Sequence, residues 1–328
     1  MHARKGTALG GLGDDTYYVG PTTDVIVELA DEGTDSVLSS VSYTLSDNVE
    51  NGMLTGNSAI NLTGRTVQGS GLLGNSGNNI ITGGWGSDTI SGMGGADTLI
   101  GGSGSDFYIL MGNETIYEHA GESGMDTMFS TRSAVTMADN VEAVFMYADT
   151  AKTAIGNDSK NWMYANDVGA YFDGRGGNDM LLGGAGADTL TGGTGNDDLQ
   201  GQAGNDLYTH RAGDGFDTIL DVDSSLGNSD RLDWQGVSTD QLWFSQSGSD
   251  LRVQVLGTQE GTLIKGWFDG SANQVEQMTL GSKTLTNDRV GALVQVMSSM
   301  TAPTTSLANL ATADQAKVQT ALAAAWLG

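Results

Sequence analysis

Residues 74–109 read GNSGNNIIT-GGWGSDTIS-GMGGADTLI-GGSGSDFYI, and residues 174–209 read GRGGNDMLL-GGAGADTLT-GGTGNDDLQ-GQAGNDLYT. Each block is four nonapeptides of the form G-G-x-G-x-D-x-U-x, where U is a bulky apolar residue. One such unit is weak evidence, but eight units in two unbroken nine-residue registers mark a repeat that stacks as a parallel β-helix. The first six residues form a turn and the last three a short strand. Glycines at positions one, two and four are expected to take positive φ and bring carbonyl oxygens together, and the sixth residue adds a carboxylate. Six to eight oxygens at about 2.3–2.6 Å in irregular geometry are what a calcium ion requires.

Two nonapeptides per coil put equivalent turns eighteen residues apart. Asp88 then faces Asp106, Asp179 faces Asp197, Asp188 faces Asp206, and Asn79 faces Asp97 across a weaker, partly neutral site. The turn glycines Gly83, Gly84, Gly86, Gly101, Gly102, Gly104, Gly183, Gly184, Gly186, Gly192, Gly193 and Gly195 complete these candidate sites. Asp15 and Asp217, at the margins of the repeats, are counted with them. The eighth positions, Ile81, Ile90, Leu99, Tyr108, Leu181, Leu190, Leu199 and Tyr208, point inward in a core one side chain deep. Burying such a residue contributes about 1.5–3 kcal/mol, while ordering each backbone residue costs about 1–2 kcal/mol. A solenoid this thin is expected to need its metal in order to fold.

Composition agrees. Forty acidic residues against 14 basic ones give a net charge of −26, which disfavours nucleic acid and anionic membranes as partners. A merely solvated acidic surface is the bland reading, but many of the acids fall at a single repeat position. The 328-residue chain has no cysteine, so disulfides and thiolate metal sites are excluded. No apolar run is long enough to span a bilayer, and Met1-His-Ala-Arg-Lys is not followed by the apolar core of an N-terminal secretory signal.

The arrays sit inside a duplicated unit. Gly10–Tyr18 is a nonapeptide with no upstream neighbour, so the chain is expected to be the C-terminal piece of a longer protein. Asp106-Phe-Tyr108 matches Asp15-Thr-Tyr17, Gly124-Met-Asp126 matches Gly33-Thr-Asp35, and Ala138–Glu142 matches Ser46–Glu50. The expected fold is all-β: two calcium-bound parallel β-rolls with flanking β segments, a C-terminal β-meander and terminal helices. Its divisions are a half-repeat and β flank (1–63), a first roll (64–110), a second flank (111–155), a second roll (156–217), a meander cap (218–287) and a helical C-terminus (288–328). Helices are expected at Val290–Met300, behind an Asn287 cap, and at Ala313–Leu327.

The nonapeptides, with Gly213-Asp-Gly-Phe-Asp-Thr-Ile219, Asp240-Gln-Leu-Trp-Phe244 and Gly266-Trp-Phe268, resemble the RTX (repeats-in-toxin, haemolysin-type calcium-binding) family over roughly residues 10–300. That resemblance implies several bound calcium ions at Asp88, Asp97, Asp106, Asp179, Asp188, Asp197 and Asp206. Asn79, Met93 and Arg175 depart from its consensus. It also implies type I secretion through an uncleaved C-terminal signal, folding outside the cell, and service as a carrier for lipases, proteases, toxins or adhesins. The last forty residues, ending Ala325-Trp-Leu-Gly328, are similar to such a signal.

Other chemistry is thinly supported. Gly69–Gly74 matches GxGxxG but runs into another glycine turn. His2, His119 (with Glu122) and His210 lack a zinc ligand set, and no G-x-S-x-G elbow is present. Asp221–Gly227 hints at an EF-hand loop with its glycine one place late. The reading that follows is a non-catalytic calcium-dependent folding and export module, secreted or at the cell surface. Its alternatives are an adhesin or lectin-like domain that grips a glycan or protein ligand, with Trp85 and Trp162 as candidate sugar platforms, and the tail of a secreted hydrolase whose catalytic domain is absent.

Overall fold

A computed structural model describes residues 7–20, 24–121, 123–147, 152–225 and 227–327. His2, Glu122, Leu226 and Gly328, which entered the sequence reading, lie outside the described residues. The chain divides into two compact units, Met1–Arg132 with Met137–Ala148, and Ser133–Thr136 with Asp149–Gly328.

Each unit is a β-solenoid whose short strands stack in parallel on two faces. In the first unit, one face runs through Thr16–Val19, Ser36–Ser39, Asn51–Leu54, Gly71–Leu73, Thr89–Ser91, Phe107–Leu110, Thr127–Ser130 and Ala143–Met146. The opposite face runs through Tyr43–Thr44, Leu62–Thr63, Ile80–Trp85, Thr98–Ser103 and Thr115–Tyr117. Within the array the register is eighteen residues, pairing Ile90 with Leu72 and Tyr108 and Leu99 with Ile81. The second array repeats it, pairing Leu181 with Leu199 and Leu190 with Tyr208. All eight eighth-position side chains are buried, and they form the core row that their spacing predicts.

The flanks belong to the same solenoid. Residues 21–63 and 111–147 lose the nine-residue period, yet Val37, Leu54, Leu62, Met128 and Val144 continue the buried row. Their turns differ in length, so Tyr17 pairs with Val37 and Val37 with Gly52. Strand register survives because hydrogen bonding and burial act on the strands, whereas the sequence period depends on turns of constant length. At Gly52 the row has no room for a side chain, since Leu45 and Leu62 already close on its Cα.

The expected meander is two separate additions to the solenoid. Leu242–Ser247, Asp250–Val255 and Gly261–Ile264 are antiparallel, and the last also pairs in parallel with Phe216–Ile219. Arg231–Gln235 and Gln277–Leu280 instead extend the other face in parallel, and Lys283–Thr286 closes it as an antiparallel edge. Helix α1 (Asn287–Met297) buries Val290, Leu293, Val294 and Met297. Helix α2 (Thr312–Ala325) buries Val318, Leu322 and Ala325. The cap of α1 is Thr286 rather than Asn287, because Asn287 donates from its side chain to Gln274. Arg289 reaches the carbonyls of Ala324 and Ala325 at 3.5 and 3.4 Å, where a cation suits a helix C-terminus. Leu327 exchanges backbone hydrogen bonds with Thr284, which docks the tail on the closing strand.

Candidate metal centre

The sixth-position carboxylates stand in columns along the turns. Each Oδ1 accepts the backbone N–H of the residue one coil below: Asp88 from Ser70, Asp106 from Asp88, Asp97 from Asn79, Asp179 from Asn161, Asp197 from Asp179, Asp188 from Ala170 and Asp206 from Asp188. The eighteen-residue pairing of the sequence reading is thus a main-chain-to-carboxylate staple rather than two carboxylates face to face. The second oxygen of Asp88, Asp97, Asp179, Asp188, Asp197 and Asp206 is buried and has no hydrogen-bond partner in the protein.

Those oxygens converge on the position-one glycines. A Cβ on Gly83 would overlap the Asp88 carboxylate and the carbonyl of Gly101, and one on Gly174 would overlap Asp179 and the carbonyl of Gly192. Gly92, Gly183, Gly192 and Gly201 are crowded in the same way by Asp97, Asp188, Asp197 and Asp206. Only positions two and four carry the expected positive φ, as at Gly84, Gly86, Gly102, Gly104, Gly184, Gly193 and Gly195. Position one is glycine because oxygens occupy the space over its Cα.

Burying carboxylates that lack a partner is costly, and burial raises their pKa. The Asp88, Asp179 and Asp206 carboxyls are pushed up to about 7 and that of Asp188 to about 6, in each case against the lowering effect of the staple. Asp197 moves the same way, through burial and then its neighbour Asp217. One buried anionic oxygen beside main-chain carbonyls, coil after coil, fits a hard divalent cation and fits little else.

Where the columns end, the protein supplies its own partners. The Asp217 oxygen that corresponds to the unpartnered one elsewhere meets His210 Nδ1 at 2.8 Å, both residues being buried, while its other oxygen accepts the Asp197 N–H. Glu114 pairs with Arg132, and Glu50 with Arg65 at 2.7 Å. Lys152, also buried, binds Asn166 and lowers the neighbouring Asp188 carboxyl. Asn79 is satisfied within the protein: its amide donates to Ile60 and Asn75 and its oxygen accepts the Asn75 N–H. Asn161 has the same position in the first nonapeptide of the second roll and also spends its amide on a side chain, that of Asn157. The first array and the second roll therefore each begin with an asparagine that needs no metal.

The remaining candidates are placed elsewhere. Trp85 is exposed, and Trp162 carries the Lys160 ammonium 4.9 Å above its ring. Gly71–Leu73 within GxGxxG is a strand with no helix after it. Asp221 joins no EF-hand loop; it lies beside Asp206 and Asp230. Asp15 lies beside Glu28 and Asp35, and Asp106 beside Glu118 and Asp126. Glu28, Asp35, Glu118, Asp126 and Asp230 are ligand candidates that the sequence reading misses, and Asp221 enters it only through the EF-hand hint; one signal was available. In all three places the apolar eighth residue is replaced by tyrosine, at Tyr17, Tyr108 and Tyr208.

Stapled aspartates over crowded glycines, in two eighteen-residue registers, are matched by one family model. Residues 73–108 and 173–208 match the RTX calcium-binding nonapeptide repeat (4 copies). The chain carries RTX calcium-binding nonapeptide repeats. RTX nonapeptides form calcium-binding β-rolls, and the matched residues fall within the two rolls of this chain. Among curated relatives, the endo-1,3-1,4-beta-glycanase ExsH of Rhizobium meliloti (strain 1021) is 41% identical over 80 residues, 24% of this chain and 14% of the glycanase. Among solved structures, the extracellular lipase LipA from Serratia marcescens aligns at 18% identity and a TM-score of 0.27, over 71% of this chain and 43% of the lipase. The RTX chain thus spans a small part of the glycanase and under half of the lipase. Among the described residues no helix is long and apolar enough to cross a membrane.

Proposed function

We propose that this chain is a calcium-dependent folding and export module of a larger extracellular protein, with no catalysis of its own. Asp88, Asp97, Asp106, Asp179, Asp188, Asp197 and Asp206, with the carbonyls of the turn glycines, would hold the ions. Bound calcium would supply the positive charge that the columns lack. At the low calcium of a cytosol, repulsion across a chain of net charge −26 keeps the rolls open and suited to passage through a type I secretion channel. At the millimolar calcium outside, the rolls close. The observation that carries this reading is the row of buried aspartate oxygens with no partner in the protein, since an apo roll must bear their cost and a calcium-loaded roll need not. Circular dichroism in calcium and in EGTA tests it. A β-rich spectrum that appears only in calcium is expected, and an identical β-rich spectrum in both would refute it.

A further inference from the structure

Asp15, Glu28 and Asp35 offer oxygens within 4.8 Å of one another, and so do Asp106, Glu118 and Asp126, and Asp206, Asp221 and Asp230. That spread matches oxygens that share one calcium, whose ligands lie about 2.3–2.6 Å from the ion. The three clusters are built alike. In each, an Asp-x-Tyr supplies the first acid, and its N–H donates to an aspartate farther along: Asp15 to Asp35 and Asp106 to Asp126 at 2.8 Å, and Asp206 to Asp230 at 2.7 Å. That aspartate's N–H in turn donates to a glutamate: Asp35 to Glu50, Asp126 to Glu142 and Asp230 to Glu276. The floor is a position-one glycine, Gly10, Gly101 or Gly201, over which the first aspartate's oxygen and the tyrosine hydroxyl meet. Tyr17 donates to Glu28 and Tyr108 to Glu118, whereas the Tyr208 hydroxyl accepts the Gly201 N–H.

A cluster of acids is not by itself a site, but the first and the third contain buried oxygens with no hydrogen-bond partner in the protein. Asp221 is 1% exposed and neither of its carboxylate oxygens has a hydrogen-bond partner. The same holds for Oε2 of Glu28, which is 5% exposed, and for Oδ2 of Asp206. Among the described residues no side chain hydrogen-bonds to them as His210 does to Asp217. Burial, then the charges of Asp35, Glu32 and Asp15, raise the Glu28 carboxyl. Burial, then Asp230, Asp206 and Glu276, raise that of Asp221.

We infer that the chain carries a second class of divalent-cation site, in which the sixth-position aspartate of a nonapeptide turn is joined by two further carboxylates: three tyrosine-marked pockets, at Asp15/Glu28/Asp35, Asp106/Glu118/Asp126 and Asp206/Asp221/Asp230. Calcium affinity rises with the number of charged ligands. A turn site has one carboxylate among carbonyls, so the pockets fill first as calcium rises. Removing one of three carboxylates weakens a pocket by roughly tenfold or more.

Terbium, a hard trivalent stand-in for calcium, tests this on the full chain, because light absorbed by a tyrosine touching the site is passed to the ion. Sensitised terbium emission should saturate with the first equivalents added. It should fall to a small remainder when Tyr17, Tyr108 and Tyr208 are all replaced by phenylalanine, which leaves every carboxylate in place. In equilibrium dialysis with calcium, Glu28→Gln, Glu118→Gln and Asp221→Asn should each remove one of the tightest-bound ions while the β-rich spectrum in calcium stays. Full calcium stoichiometry in the folded variants, or early emission unchanged by the three phenylalanines, overturns the inference. If a carboxamide variant fails to fold, the phenylalanine protein still decides. If the chain folds without calcium, the proposed function fails while these pockets remain measurable by emission.

Discussion

Replacing Asp188 by asparagine should change the stability of this protein in opposite directions with and without calcium. The Asp188 carboxylate has two separable tasks: Oδ1 accepts the Ala170 N–H at 2.6 Å, and Oδ2 is buried without a partner. An asparagine keeps an oxygen that can perform the first task and removes the charge of the second; at Asn79 and Asn161 the side-chain oxygen instead accepts the N–H four residues back in its own turn. A carboxyl raised from its ordinary 3.8 to about 6 costs ~3 kcal/mol when ionised in the folded chain, which residual solvent screening cuts to ~1–2 kcal/mol. Without calcium, Asp188→Asn should therefore stabilise the roll by about 1–2 kcal/mol. With free calcium at a hundred times the site's dissociation constant, the native site gains about 2.7 kcal/mol from binding, and the variant forfeits it. The difference leaves the variant about 1 kcal/mol less stable in calcium. The assay is urea unfolding in calcium alongside refolding by an excluded osmolyte in EGTA, which draws out the compact state of a chain unfolded at rest. The variant should need less urea in the first and less osmolyte in the second. Destabilisation of equal size in both would mean that the carboxylate serves only as a staple, and the reasoning would fail.

Three other outcomes follow from the same geometry. Met93, Arg175 and Gln202 hold position two at φ of 69°, 70° and 74°, where a side chain costs about 1 kcal/mol; glycine at each should raise the unfolding temperature in calcium, and no rise in any of the three would count against backbone strain there. Gly183→Ala places a methyl against the Asp188 carboxylate and near the Gly201 carbonyl without a positive-φ penalty, so calorimetric titration should find one calcium fewer, and an unchanged count would contradict the placement of the ion. The third outcome concerns pH. The carboxyls of Asp88, Asp179, Asp188 and Asp206 are raised by burial to about 7, 7, 6 and 7. Their contribution to the metal-free fold is thus complete below about pH 4 and lost as pH climbs through 6–7. Calcium-free protein should show more β-structure at about pH 5 than at about pH 8, and the calcium needed for folding should rise as pH falls below about 7. A metal-free spectrum that does not change between those pH values would rule this out.

The sequence alone determined the two arrays, their inward residues and the column of aspartates, because a nine-residue period is local information: each unit repeats the turn and strand of its neighbour. It also led to glycine at position one for the wrong reason, since the crowding oxygens belong partly to the next coil. Only the tertiary structure decided where each column ends and in what. Glu28 and Asp35 reach Asp15, and Asp221 and Asp230 reach Asp206, across turns of unequal length, and Glu276 joins Asp230 only after three intervening strands have been looped out to the other face. His210 meets Asp217 across a single turn, and no spacing rule in the chain announces an imidazole where the other coils leave an oxygen bare. Such contacts depend on where the closed coil returns the chain, and a period read along the sequence carries no information about turns that break it.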